Sequence, residues 1–294
     1  MKRKVSFLRK TGLFIGFAGP AVFCFLLVMV VPFIYGSYLT LTSWNGISEK
    51  KIFVGFENYM AIFQDTQFWH SLLLTIQYSA ISVIFINILA FALAYLVTRG
   101  IRGQNFYRAG FFTPNLIGGL VLGYVWQFIF SRAMVSAGQH FHIRLLSSSW
   151  LSDPEKALAA LIIVSVWQYS GFIMLIYIAG LMAVPKELIE AGIIDGCTKK
   201  QVLRYIILPR MNSSFVIGLF LSITRCFMTY DLNLSLTDGG PFKSTEMAAM
   251  HVYQQAFVTK NYGVGQTEAV VLFLICALIS IVQVMIGKRN EVDT

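Results

Sequence analysis

One charged side chain stands inside a long apolar run of the sequence. Arg225 lies in the stretch 211–230, which has no other Lys, Arg, Asp or Glu. A charge in an apolar helix is costly and usually faces a cavity or another polar group. Arg225 is therefore a candidate functional residue. A structural pair with Asp231, or with an acid of another chain, is the alternative.

The other reactive residue types form no catalytic pattern. The sequence has no GxxxxGK[ST] phosphate loop, no HExxH and no GxSxG, so we expect no ATP hydrolysis on this chain. His140 and His142 could share a metal, but an ordinary solvent-exposed loop is the simpler interpretation. His70 and His251 also fall in polar stretches or at their edges. We predict that the chain is not an enzyme and holds no metal or cofactor of its own.

The segment 185–210 carries signals for two helices joined by a sharp turn. Pro185 suits the first turn of a helix over 186–195. Gly196 can adopt the left-handed backbone that ends a helix. Thr198 and Gln201 then match a capping box at the start of a second helix.

Small residues lie on the first of these helices. Ala191 and Gly192 form a patch that another protein could approach closely, and Glu190 places one charge beside it. An ordinary amphipathic connector is the alternative on physical grounds alone.

Composition places these features in a membrane protein. Apolar residues make up 56% of the 294 residues and charged residues 13%, whereas soluble proteins carry roughly 25% charged residues. Spanning a bilayer takes about 20 helical residues. Six apolar stretches are long enough, and they predict an all-α integral membrane protein with six transmembrane helices: 13–36, 72–97, 109–131, 157–184, 211–230 and 269–287. Only the fifth contains a charge.

The distribution of Lys and Arg predicts the orientation. One side of the predicted spans holds fifteen of them and the other side seven, and Arg225 completes the 23. Basic residues favour the cytoplasmic side, so both termini are expected there. The outer loops are then 37–71, 132–156 and 231–268. We predict one membrane domain over 13–287, with cytoplasmic end segments 1–12 and 288–294.

Two local features leave alternatives open. Pro114 near the start of the third span could kink or break it, or it is simply a tolerated membrane proline. The aromatic stretch 57–69 could form an amphipathic helix lying in the membrane interface. Plain interfacial anchoring by its aromatic side chains is the alternative.

The loop 185–210 resembles the EAA loop of the permease subunits of binding-protein-dependent ABC importers. Gly192 stands where a second Ala is usual, and Cys197 where Ala is common. The positions at the family spacing are Glu190, Ala191, Gly192, Gly196, Ile206, Leu208 and Pro209.

Two outer segments are similar to the carbohydrate-uptake branch of that family, which includes maltose-type and glycerol-phosphate-type importers. The first is 53–59, followed by Asp65, Phe68, Trp69 and Thr75. The second is 236–241, followed by Thr245, Tyr253, Phe257, Tyr262 and Gly263.

The resemblance implies a type I ABC importer permease of the bacterial cytoplasmic membrane. The expected partners are a second homologous permease, two ABC ATPase subunits that carry ATP and Mg, an extracytoplasmic solute-binding protein and the lipid bilayer. No nucleic acid is expected. The helix over 186–195 would dock on an ATPase, through Glu190, Ala191, Gly192, Asp195 and Gly196.

The resemblance also implies a solute pathway between the spans on either side of this loop. Matching by distance from Glu190 gives Gln168, Tyr169, Phe172, Ser222, Arg225, Cys226 and Thr229. The last four share a helical face, and a helix–helix contact face is the alternative. If Arg225 lines the pathway, the solute could be an anion such as a uronic-acid oligosaccharide, a sialic acid or a glycerol phosphate.

Two other functional classes remain to be distinguished. One is a self-sufficient secondary transporter or channel, and the other is a membrane-embedded enzyme. No predicted span has the paired carboxylates of a proton relay. The predicted docking loop has no use in a protein that works without an ATPase, so it favours the importer.

Overall fold

The computed structural model describes residues 7–289 and is mostly helical. The first half contains α1 (Phe14–Leu39), β1 (Thr42–Ser43), β2 (Ile52–Phe53), α2 (Glu57–Gln64), α3 (Thr66–Val97), α4 (Gln104–Leu116) and α5 (Gly119–His140). The second half contains α6 (Pro154–Ala183), α7 (Lys186–Ile194), α8 (Lys199–Arg210), α9 (Asn212–Phe227), α10 (Asp231–Leu236), α11 (Ala248–Tyr253) and α12 (Tyr262–Arg289).

Within the described residues, five helices are long and apolar enough to cross a membrane: α1, α3, α5, α6 and α12. The pair α8 and α9, bent by 68°, makes a sixth if it is one span. The predicted all-α membrane fold is confirmed. The predicted domain boundaries stay a prediction, and residues 1–6 and 290–294 of the two end segments lie outside the described range.

The chain divides into two compact units, and the first consists of Met1–Asp65 and Val252–Val270. Here β1 and β2 form an antiparallel pair in which Thr42 faces Phe53. The buried Asn58 of α2 donates to the carbonyl oxygens of Thr40 at 2.7 Å and Thr42 at 3.0 Å. The segment 53–59 therefore fastens α2 to the end of the first span.

The second unit consists of Thr66–His251 and Val271–Thr294. Its core lies where α3 packs along α6 and α9 packs against both. Tyr78 and Tyr177 are fully buried there. Gly171 of α6 lets α4 approach closely, since a methyl group on it would lie 1.8 Å from the carbonyl oxygen of Phe111.

The third predicted span, 109–131, is interrupted, which matches the alternative that Pro114 breaks it. α4 ends at Leu116, and Ile117 and Gly118 are extended before α5 begins. Pro114 lacks the N–H for a helical bond to the preceding turn, and glycine has a low helix propensity. The apolar helix after the interruption, α5, extends to His140. It contains Arg132, which the prediction had placed in an outer loop.

Other predicted boundaries also shifted. The helix predicted over 57–69 ends at Gln64, and Phe68 and Trp69 already belong to α3. The fifth span, 211–230, was predicted as a separate helix. In the structure it follows α8 directly after a sharp bend at Met211. The last span begins at Tyr262, seven residues before its predicted start.

The last predicted outer loop, 231–268, contains α10, α11 and a π-helical turn over Gln254–Val258. Buried Asn233 donates to the carbonyl oxygen of Thr245 at 2.7 Å, and the amide of Ala248 donates to Thr75 Oγ1 at 2.8 Å. These bonds hold the segment after α10 against α10 and α3. Local hydrophobic patterning misses such a segment because it is built on buried polar contacts.

His251 lies in the predicted outer loop 231–268, but it is not exposed. This side chain is buried, and its Nδ1 lies 2.7 Å from Glu246 Oε1, while Lys243 Nζ lies 3.3 Å from Glu246 Oε2. Burial acts to raise the pKa of Glu246, but the hydrogen bond from His251 and the charge of Lys243 outweigh it, so the pKa lies below its usual value.

Candidate functional site

The predicted helix, turn and cap in the segment 185–210 are confirmed. Pro185 directly precedes α7 rather than lying in its first turn. Gly196 has φ +83°. The amide of Gly196 donates to the carbonyl oxygen of Ile193, and the amide of Cys197 donates to that of Gly192. These two hydrogen bonds are the pattern of a Schellman motif.

The start of α8 is fixed by the predicted capping box. The Thr198 amide donates to Gln201 Oε1 at 2.8 Å, and the Gln201 amide donates to Thr198 Oγ1 at 3.4 Å. Two free amides of a helix start are thereby satisfied by neighbouring side chains. The path of the chain between α7 and α8 is therefore set by local hydrogen bonds.

Gly192 does not lie on the open surface as expected. It is buried, and a methyl group on it would lie 2.5 Å from Ile206 Cδ1 of α8. Its small size lets α7 pack on α8 of the same chain. The open surface of α7 instead carries Glu190 and Ala191 together with two exposed isoleucines, Ile193 at 60% and Ile194 at 84% exposure.

A polar cavity of about 320 Å³ lies in the second unit, where two helices are interrupted. One interruption separates α4 from α5, and the other separates α9 from α10. Interrupted helices at membrane depth are typical of transporter binding sites. The cavity is lined by Asn115, Ile117, Gly119, Gln168, Tyr169, Arg225, Met228, Thr229, Tyr230, Asp231 and Leu232.

Neutral groups hold the guanidinium of Arg225 in this cavity. Its Nη1 donates to Asn115 Oδ1 at 2.6 Å. The guanidinium carbon lies 4.5 Å from the ring centroid of Phe172 and 5.3 Å from that of Tyr169. The expected pairing alternative, Asp231, lines the same cavity, but Arg225 is bonded to Asn115 instead.

The seven predicted pathway residues fall into two groups. Gln168, Tyr169, Arg225 and Thr229 line the cavity, and Phe172 contacts Arg225. Ser222 and Cys226 are fully buried between helices instead. Ser222 Oγ accepts from Asn87 Nδ2 of α3 at 2.9 Å. For these two residues the structure matches the helix-contact alternative.

Sequence reasoning missed Asn115 as a cavity residue. The structure places it at the end of α4, immediately before the interruption. The only local signal was the polar Asn that follows Pro114 inside an apolar run. Asp231 was considered as a pairing partner but not as part of the cavity wall.

Comparison with known proteins identifies the family. Residues 86–292 match the model of the binding-protein-dependent transport system inner membrane component. The chain belongs to this family. Its members are transport components of the membrane, so the chain is an integral membrane transport subunit rather than an enzyme.

Relatives match along most or all of the permease chain. It is 38% identical, over 100% of both chains, to the probable starch degradation products transport system permease protein AmyD of Thermoanaerobacterium thermosulfurigenes. It is 31% identical to the sn-glycerol-3-phosphate transport system permease protein UgpA of Brucella abortus, over 77% of this chain and 78% of that one.

A solved structure confirms the permease architecture. The chain superimposes, with a TM-score of 0.81 and 17% identity, on a bacterial ABC transporter involved in the import of the acidic polysaccharide alginate. The match covers 96% of this chain and 97% of that chain. At this identity the similarity establishes the fold alone.

Proposed function

We propose that this chain forms half of the membrane pathway of an ATP-driven sugar importer in the bacterial cytoplasmic membrane. Membership in the binding-protein-dependent family supports an importer. Two relatives of 38% and 31% identity, named for starch degradation products and glycerol 3-phosphate, support a sugar or a related solute. The solute crosses by alternating access, in which each conformation opens the pathway to one side.

The exposed face of α7 carries this proposal. Ile193 and Ile194 are large apolar side chains on a surface helix, and exposed apolar side chains in a cluster mark contact sites. Glu190 and Ala191 lie on the same open surface. Because α7 packs closely on α8 at Gly192, a force applied to α7 would pass to α8 and α9.

The partners follow from this arrangement. An ABC ATPase docks on α7 and carries the ATP and Mg, and a second copy of it serves a homologous permease that completes the pathway. An extracytoplasmic binding protein delivers the solute. With α7 on the ATPase side, both chain termini lie in the cytoplasm, as the basic residues also indicate.

The polar cavity is the proposed solute site of this half of the pathway. Sugars are bound by aromatic faces combined with hydrogen-bonding side chains. Tyr169 and Gln168 of α6, Arg225 of α9 and Thr229 just after α9 supply these groups. The helices α6 and α9 lie on either side of the proposed docking loop, 185–210.

The test is recovery of the assembled importer from its native membrane. The tagged chain is purified in mild detergent and its partners are identified by mass spectrometry. We expect one homologous permease and one kind of ATPase. Glu190→Lys should lose most of the ATPase while keeping the permease partner, because it reverses the charge on the exposed face of α7.

Glu49→Lys is the matched control, since it makes the same charge reversal at an exposed residue of a different loop. It should retain the ATPase. Recovery of the chain alone, in a form that transports without ATP, would contradict the importer and favour a secondary transporter. Loss of the ATPase from both variants would remove α7 as the docking element.

A further inference from the structure

The charge of Arg225 is not neutralised by the groups that hold it. Among the described residues, its hydrogen bond goes to the neutral amide of Asn115, and its guanidinium carbon lies over the rings of Phe172 and Tyr169. A cation kept within an apolar helix without a bonded acid costs free energy. An anion bound at Arg225 would recover that cost.

Arg225 is also held in a fixed orientation. Asn115 bonds one end of the guanidinium, and the two aromatic rings limit its rotation. A fixed guanidinium presents its remaining N–H groups as a planar fork, which matches the geometry of carboxylate and phosphate oxygens. Little side-chain entropy is then lost on binding.

The rest of the cavity suits a hydroxylated solute. Gln168 is only 4% exposed, and its Nε2 donates to the carbonyl oxygen of Ile117 at 3.2 Å. Within residues 7–289, its Oε1 has no hydrogen-bond partner. A buried acceptor without a partner is unfavourable, and a sugar hydroxyl would satisfy it. Gly119, at the N-terminal and positive end of α5, lines the same cavity.

We propose that the cavity binds the acidic group of a sugar acid or sugar phosphate, with Arg225 as the residue that determines this specificity. The inference rests on the proposed function, since it names the solute class of the same site. Asp231 on the cavity wall repels an anion. The solute therefore binds with its acidic group at Arg225 and its hydroxyl groups towards Asp231 and Gln168.

The test measures binding to the purified importer complex in lipid nanodiscs without its binding protein, so that the permease alone selects. Trigalacturonate, glucose 6-phosphate and neutral maltotriose are titrated and followed by saturation-transfer NMR. At least one acidic probe should bind more tightly than maltotriose. Whichever acidic probe binds identifies a carboxylate or a phosphate as the recognised group.

Variants then assign the effect to Arg225. Arg225→Gln should weaken the acidic probe by about ten- to a hundredfold, the range for one charged hydrogen bond, and should weaken uncharged maltotriose by a clearly smaller factor. Arg225→Lys keeps the positive charge, so it provides a second test if Arg225→Gln fails to fold. It should retain part of the preference. Arg132→Gln, which removes an arginine of α5 outside the cavity, should change neither.

Two results would overturn the inference. One is that no acidic probe binds the wild-type complex more tightly than maltotriose. The other is that Arg225→Gln weakens acidic and neutral probes equally. If the ATPase and second permease are still recovered in either case, the importer function stands and only the solute class is wrong.

Discussion

The segment 185–210, which is the proposed docking loop, and the polar cavity are built in opposite ways. The loop obtains its shape from neighbours in sequence: the turn at Gly196, the cap at Thr198 and the contact of Gly192 with α8 lie within about fifteen residues. The cavity is assembled from α4, α5, α6, α9 and α10, whose residues are up to 117 positions apart. A substitution at a turn or capping residue should therefore alter the loop alone. A substitution at a helix-packing residue should alter the cavity and the stability of the fold together.

The largest effect should come from Gly171→Ala. The added methyl group would lie 1.8 Å from the Phe111 carbonyl oxygen, so α4 must move and carry Asn115 away from Arg225. Backbone clashes of this kind cost about 3 kcal/mol. We expect a lower thermal unfolding temperature of the complex together with weaker solute binding.

Gly110→Ala is the matched control for this change. It lies in α4, and nothing stands within 4 Å of the added methyl group. Because Ala favours a helix by about 1 kcal/mol over Gly, this variant should be as stable as the wild type or more stable. Equal destabilisation by the two substitutions would contradict the close packing of α4 on α6.

Gly196→Ala should have the next largest effect, and it should be confined to the docking loop. Gly196 has φ +83°, and a side chain in the left-handed region costs about 1–2 kcal/mol. The ATPase should copurify less well, while solute binding to the complex that remains stays unchanged. Gly196→Asn should be milder, since Asn tolerates this backbone. If Gly196→Ala also lost solute binding, the loop and the cavity would not respond independently to substitution.

Thr198→Ala probes the same loop more gently. Losing a capping side chain costs about 1 kcal/mol, because the Gln201 amide loses its acceptor. We expect faster hydrogen exchange at the start of α8 and a modest loss of ATPase stimulation by solute. Thr259→Ala makes the same substitution at an exposed threonine of the other unit and should leave exchange in α8 unchanged. No change in α8 exchange for Thr198→Ala would mean that packing, not the cap, holds this helix.

The same contrast explains what could be predicted from the sequence. Turn glycines and capping residues act over a few positions, so the docking loop was predicted in detail, apart from the direction in which Gly192 faces. Apolar length alone gave the spans. Pro114 raised a break in the third span as one of two alternatives, but no sequence signal indicated the bend at Met211. The cavity was only half predicted. Helical spacing placed Ser222 and Arg225 on one face, yet only packing against α3 decides that Ser222 is buried and Arg225 is not.

The smallest effect should come from Asp231→Asn, which keeps the size of the side chain and removes its charge. Asp231 is exposed on the cavity wall, so water screens it and its repulsion of an anion is weak. Binding of the acidic probe should tighten by about threefold, and maltotriose binding should stay the same or weaken slightly. Glu155→Gln removes an exposed carboxylate outside the cavity and should change neither affinity. Opposite responses of the two probes would show that the charges of both Arg225 and Asp231 affect solute binding. A helix-contact face would not have this property. If both affinities change in the same direction, Asp231 acts through the structure of α10 and not through its charge. The cavity and the docking loop would then be shown to differ only in whether distant or neighbouring residues build them.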